Sequence, residues 1–314
     1  MLKINKNKAF SLIELSIVIL IIGILVAGVT QSSRLISQMR LISVRSITLS
    51  SPIASIKDLY AWYETVMEKS FDEVEASDGL TISNWYDLNP QSSSGKINFT
   101  QTNAGFRPTY QLSSINGLPA IYFNGSKFLN TDLNAPSALG AGSATFFFVF
   151  RPQNAFAQSF LLTQTYSTCA NNIEIGLTTG NQAGANFGIH SGCNRATVTQ
   201  ANTLSNNNVF LMTMVFLSSP IVNGGTSNVK IFRNGGSELP LFADAGGYNS
   251  GLNGSYAVGN YSLYMGVRYD WRNTLNAYYT GTISEVVIFS RSLNTEERQA
   301  VEKYLGKKWG IVVQ

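Results

Sequence analysis

Apolar and polar positions divide this chain into two regions with different periods. From Phe10 to Val29 the sequence FSLIELSIVILIIGILVAGV carries one charge, Glu14, and is otherwise apolar, Gly, Ser or Ala. About 20 such residues span roughly 30 Å as a helix, the thickness of a bilayer's hydrocarbon core. Beyond this run Leu35, Ile36, Met39, Ile42 and Val44 recur at mainly helical spacing, with Arg34, Arg40 and Arg45 between them. Pro52 is placed to end or kink the helix. After Pro52 the pattern becomes short apolar runs flanked by Gly, Asn or Ser. These are LYAWYETV, AIYF, ATFFFVF, SFLLTQT, VFLMTMVFL, NVKIFRNG, SLYMGVRYD and GTISEVVIFS. Such runs predict strands buried inside a two-sheet sandwich. One more helix closes the chain in LNTEERQAVEKYLGKKWG. There Asn294 and Glu297 are spaced as a capping box, Val301, Tyr304 and Leu305 form an apolar face, and Gly306 or Gly310 can end it. The expected organisation is a leader over 1–9, a transmembrane helix over 10–57 and a mainly β domain over 58–314.

Hydrophobic residues make up 44% of the 314 positions and charged ones only 13%, which leaves Asn, Ser, Thr and Gly to cover much of the surface. The net charge is +4, but without Lys3, Lys6 and Lys8 of the first nine residues the balance is 19 basic to 18 acidic side chains. The basic excess belongs to the leader, so it gives no support for nucleic-acid binding, which needs a basic patch on the folded domain. The three lysines before the span are matched by three arginines after it, so charge alone does not orient the helix.

Glu14 changes the picture. A carboxylate within an apolar span costs about a few kcal/mol when deep, and a plain anchor gives no reason to keep one. A cleaved secretory signal places small residues after its apolar core, whereas here the small residue, Ala9, precedes it. Cleavage between Ala9 and Phe10 would create an α-amino group four residues from Glu14, a cation able to neutralise it on the same or a neighbouring chain. These residues, AFSLIELSIVILIIGIL, resemble the N-terminal segment of type IV pilins and pseudopilins, with Ala9 in place of the commoner Gly. The resemblance implies cleavage at Ala9–Phe10 by the prepilin peptidase and N-methylation of Phe10. It also implies Glu14-dependent assembly with other pilin or pseudopilin subunits. The leader then lies in the cytoplasm, the span in the bacterial inner membrane, and the bulk of the protein in the periplasm before it enters a filament.

In an exported chain the only two cysteines, Cys169 and Cys193, read as one disulfide. Closing a loop of about 25 residues would stabilise the fold by roughly 3 kcal/mol. The alternative is two buried free thiols; with His190 as the single histidine, a zinc set is poorly served.

A second resemblance lies in WYDLNP, FRPTY, INGLPAIYFNGSKFL and GTISEVVIFSRSLNTEERQAVEKYLGKKWGI. Their order resembles concanavalin A-like, laminin-G-like domains over about Asp58 to Gln314, and implies a jelly roll of two antiparallel sheets. Glucanases of that superfamily carry a Glu-x-Asp-x-x-Glu strand that is missing here. Glu285 has no acidic neighbour in sequence and reads as structural, so no catalytic residues are assigned and an enzyme is not expected. The acidic run Asp72, Glu73, Glu75 and Asp78 reads as a solvated loop, with calcium as its only candidate cofactor. A glycan or surface ligand would meet Asp270, Trp271 and Asn273, in a polar connection between apolar runs. The functional expectation is a minor or adhesive pilin displaying a lectin-like domain. The alternatives are a type II secretion pseudopilin and, further off, a membrane-anchored glycosidase.

Overall fold

The computed structural model describes residues 11–92, 95–131, 143–164, 173–178, 185–190, 196–200, 202–217, 229–243, 262–269 and 274–314. By compactness the chain divides into residues 1–46 and 47–314. Helix α1, Leu12–Leu49, runs 38 residues, about 57 Å at the usual rise. Its first 18 residues, Leu12–Val29, are apolar but for Glu14 and a few small residues, and none of them is buried within the chain. Such a surface is long and apolar enough to cross a membrane. The helix stops three residues before Pro52, whose ring cannot continue the hydrogen-bond ladder.

The second unit is a two-sheet sandwich. Numbered along the chain, the first sheet holds β1 (Leu59–Glu64), β4 (Thr109–Ile115), β5 (Leu118–Asn124), β7 (Ala144–Pro152), β12 (Phe210–Phe216), β13 (Val229–Arg233) and β18 (Thr280–Phe289). The second holds β2 (Asn84–Trp85), β3 (Phe99–Thr100), β6 (Leu129–Asn130), β8 (Ser159–Gln164), β9 (Ile173–Thr178), β10 (Asn186–His190), β11 (Ala196–Thr199), β14 (Leu241–Ala243) and β15 (Leu263–Met265). Strands β16 (Arg268–Tyr269) and β17 (Leu275–Asn276) form a separate hairpin. Their order is β13-β12-β7-β18-β5-β4 in the first sheet and β14-β11-β10-β9-β8-β15-β6-β3-β2 in the second, with every pairing antiparallel.

Strand β18 organises the first sheet. One side pairs with β7 along most of its length, while the other is shared end to end. Thr280–Ile283 pairs with β5 and Glu285–Phe289 with β1, and a bulge at Ser284 marks the change of partner. The core between the sheets is aromatic, with Phe146, Phe148 and Phe150 of β7 facing Ile175, Phe187 and Leu263. Asn116 and Gly117 both take positive φ, so the Asn-Gly pair makes the tight β4–β5 hairpin turn.

The reading of SLYMGVRYD as one strand is corrected. It breaks at Gly266, which has φ +82°, and a Cβ there would lie 2.4 Å from the Phe123 ring. Only glycine allows that approach, so β15 stays in the sheet and β16 turns away.

Helix α2, Thr295–Trp309, lies against the outer face of the first sheet and explains why β7, β12 and β18 are buried on both faces. It starts in the expected capping box of Asn294 and Glu297 and ends on Gly310 in the left-handed region. The Asn116 side chain donates to the last helical carbonyl, Trp309 O, fixing the hairpin turn to the helix end.

Candidate functional site

The first candidate site is the start of α1. Ala9 and Phe10, the expected cleavage and methylation positions, lie outside the described residues. Glu14 is exposed, and its Oε2 accepts a hydrogen bond from Ser11 N at 2.9 Å, while Ser11 Oγ accepts from Ile13 N at 3.3 Å. Ser11 thus caps the helix through the N2 amide of Ile13, and Glu14 at N3 reaches back to the N-cap amide as in one half of a capping box. This gives Glu14 a role within its own chain that the apolar pattern concealed, although the S-x-x-E spacing was there to be read.

The second feature is a fully buried polar cluster beneath α2. Glu64 and Glu285 are direct partners in the β1–β18 register, and Lys308 Nζ lies 2.8 Å from Oε2 of each. Glu285 also accepts from Trp62 Nε1 at 2.9 Å, Trp309 Nε1 at 2.7 Å and the Tyr304 hydroxyl at 3.0 Å. Glu64 accepts from Val66 N at 2.9 Å, Met67 N at 2.6 Å and Ser70 Oγ at 2.9 Å. Each carboxylate therefore meets four donors, the most its lone pairs take. Burial works against the Lys308 ammonium, but the two carboxylates outweigh it and hold its pKa above the usual lysine range. The arrangement is a closed lock between the first strand, the last strand and the last helix, with no open position for a substrate. Glu285 has the structural place expected for it. Glu64 and Lys308 as its partners were missed, since 221 and 23 positions separate them from it in the chain.

The acidic loop is solvated as expected, with Asp72, Glu73 and Asp78 exposed, and three of its carboxylates also accept hydrogen bonds from the chain. Asp72 accepts from Tyr86 OH at 2.8 Å and Asn84 Nδ2 at 3.1 Å, Glu75 from Ser83 N at 2.7 Å, and Asp78 from Leu112 N at 2.8 Å. The carboxylates diverge to separate partners, and among the described residues no group of three or more His, Cys, Asp or Glu is arranged to hold a metal ion.

Asp270, Trp271 and Asn273, the expected ligand-binding residues, lie outside the described residues. The base of the β16–β17 hairpin is well defined. Arg268 Nε pairs with Glu174 Oε1 at 3.0 Å and its guanidinium lies 5.7 Å above the Phe160 ring. Tyr269 stacks on Tyr264 at 4.9 Å. Cys169 and Cys193 also lie outside the described residues. The strand ends that flank them, Gln164, Ile173, His190 and Ala196, all lie at one end of the second sheet.

Residues 4–30 match the prokaryotic N-terminal methylation motif, so the apolar helix carries the N-terminal signature of pilin-like proteins. No curated protein is similar in sequence to the chain. Among solved structures, the chain is similar to domain 4 of AbnA, a GH43 extracellular arabinanase from Geobacillus stearothermophilus solved with arabinotriose. The identity is 17% and the TM-score 0.48, over 78% of this chain and 97% of that one. It is also similar to a mutant GH54 α-L-arabinofuranosidase, at 14% identity and TM-score 0.48, over 73% of this chain and 51% of that one. A Trypanosoma rangeli sialidase bound to the inhibitor DANA matches at 14% identity and TM-score 0.45, over 84% of this chain and 38% of that one. This chain thus spans about half or less of the two longer proteins.

Proposed function

We propose that this protein is a minor or adhesive subunit of a type IV pilin-like filament, displaying its β-sandwich as a lectin-like interaction domain. The observation that supports this most is the N-terminal methylation motif over residues 4–30, set on a helix whose Leu12–Val29 face is apolar and exposed. The prepilin is inserted in the bacterial inner membrane with its sandwich in the periplasm, cut between Ala9 and Phe10, and methylated on Phe10. It then leaves the bilayer for a filament core, where the apolar surface of α1 is covered by other subunits' helices. Glu14 there accepts a hydrogen bond from a neighbour's α-ammonium, a charge pair that lowers the cost of a carboxylate in an apolar core.

The reading is that of an interaction protein and not an enzyme. Glu64 and Glu285 face one another but are buried and saturated with donors, whereas glycoside hydrolysis needs two carboxylates flanking an open cleft. The testing experiment is competition for filament incorporation between wild-type and Glu14→Ala protein in the same cells. Normal cleavage of the variant with reduced incorporation is expected. Incorporation equal to wild type would refute the assigned role of Glu14.

A further inference from the structure

The register of the second sheet lines up one row of side chains on the face turned away from the core. Asn84 pairs with Thr100, Thr100 with Asn130, Asn130 with Tyr264, Tyr264 with Thr163, and Thr163 with Glu174. Directly opposed residues share a face. Their neighbours one position along, Trp85, Phe99, Leu129, Met265, Leu162 and Ile175, all belong to the core. The row is therefore outward by alternation, and polar at every position but Tyr264.

The β16–β17 hairpin covers one end of it. Thr163 Oγ1 donates to Val267 O at 3.0 Å and Arg268 pairs with Glu174, and both row residues are buried. Asn84, Thr100, Asn130 and Tyr264 are only half-buried. Three strand spacings, about 14 Å, separate the first from the last. An aromatic wall stands where this strip meets the hairpin. Tyr269 is stacked on Tyr264, Phe128 lies 6.3 Å from Tyr264, and Phe106, 39% exposed, lies 5.5 Å from Phe128.

We infer that the strip Asn84–Thr100–Asn130–Tyr264, with Tyr269 as its wall, is a binding site for a neutral oligosaccharide. Amides and hydroxyls in a row match a ligand that presents hydroxyls along its length, and ring faces match its C–H faces. The Asn84 amide donates to Asp72 and to Ser83 Oγ, the Asn130 amide to Thr131 O and the Thr100 hydroxyl to Asn130 O, which fixes these side chains in place and turns their oxygens to the task of accepting from a ligand's hydroxyls. Charge selects within the class. Arg268 and Glu174 neutralise each other, and Asp72 stands at the open end accepting from Asn84 Nδ2 at 3.1 Å. A sialylated, sulfated or uronate ligand would face that carboxylate. The Tyr264 phenol is neutral at physiological pH as any tyrosine is, and burial raises its pKa further.

The assignment rests on the reading of the sandwich as a displayed interaction domain. It is tested with the full chain in detergent micelles on an immobilised panel. The panel carries neutral arabino-, xylo-, gluco- and galacto-oligosaccharides beside sialylated, sulfated and uronate ones. Binding to at least one neutral member is expected, weakened 10-fold or more by Asn130→Ala, by Tyr269→Ala and by the near-isosteric Thr100→Val. Thermal midpoints should be unchanged, and Phe156→Ala, at an exposed ring outside the strip, should bind as the parent does. Neutral binding that survives within 2-fold in folded Asn130→Ala and Thr100→Val would overturn the site while leaving the displayed-domain reading intact. Binding confined to acidic members would overturn the ligand class. No binding to any member by folded parent overturns the inference, and the filament reading is then judged separately by incorporation.

Discussion

Replacing Lys308 by Met should unlock the sandwich. The side chain is buried and touches two carboxylates, each at 2.8 Å, that face one another across β1 and β18. Removing one partner of a buried pair costs about 3–5 kcal/mol, because the charge left behind has neither water nor a partner. Here one ammonium serves two anions, and its loss leaves like charges opposed in low dielectric. A loss of about 4–5 kcal/mol is expected, a large share of the roughly 5–15 kcal/mol that holds a typical domain together. The assay is urea unfolding of the full chain in detergent, followed by tryptophan emission. Trp62 and Trp309 both donate to Glu285, so their indoles report on the cluster itself. Adding Glu285→Gln to Lys308→Met should recover part of the loss, since it removes one of the stranded charges. A Lys308→Met loss below about 1 kcal/mol, the range of an exposed ion pair, would refute the reasoning.

Glu14→Gln separates the two roles of that residue. Glutamine can still accept from Ser11 N but cannot pair with an ammonium, so incorporation should fall with Gln nearly as far as with Ala; normal incorporation of the Gln variant would favour the cap alone. Exported protein should carry a Cys169–Cys193 bridge, and a non-reducing peptide map with both thiols free would reject it. Arg291 donates to both oxygens of Glu297, at 2.7 and 2.8 Å, and holds its carboxyl below the usual range. That contribution is complete above the unfolded carboxylate's pKa of about 4.3 and fades as pH falls through the lower folded value. The stability gap between wild type and Arg291→Ala should therefore close on acidification, and a gap that widens would contradict the pairing.

The long helix was legible because an apolar run and a terminating proline are local signals. The same holds for the Asn294–Glu297 cap and for ATFFFVF and GTISEVVIFS, whose two-faced hydrophobicity needs cover on both sides. The polar cluster was not legible. Glu285 reads as structural but without partners, and Glu64 and Lys308 look like ordinary surface charges until β18 changes partner at Ser284 and brings β1 beside it. The outward strip was hidden for the same reason. Asn84 and Asn130 carry no signal of their own in the sequence, and only the register of β2, β3, β6 and β15 sets them in line with Tyr264. The acidic loop reads as solvated and is exposed at Asp72, Glu73 and Asp78, while the donors that meet its carboxylates come from residues that only the fold brings near.

The central claim is that this chain is processed at Ala9–Phe10 and built into a filament that displays its sandwich. The most direct test is mass spectrometry of filaments sheared from cells that express the full chain. The account predicts an N-terminal peptide beginning at N-methylated Phe10, recovered together with peptides from the sandwich. Protein confined to the membrane fraction and still beginning at Met1 would contradict it.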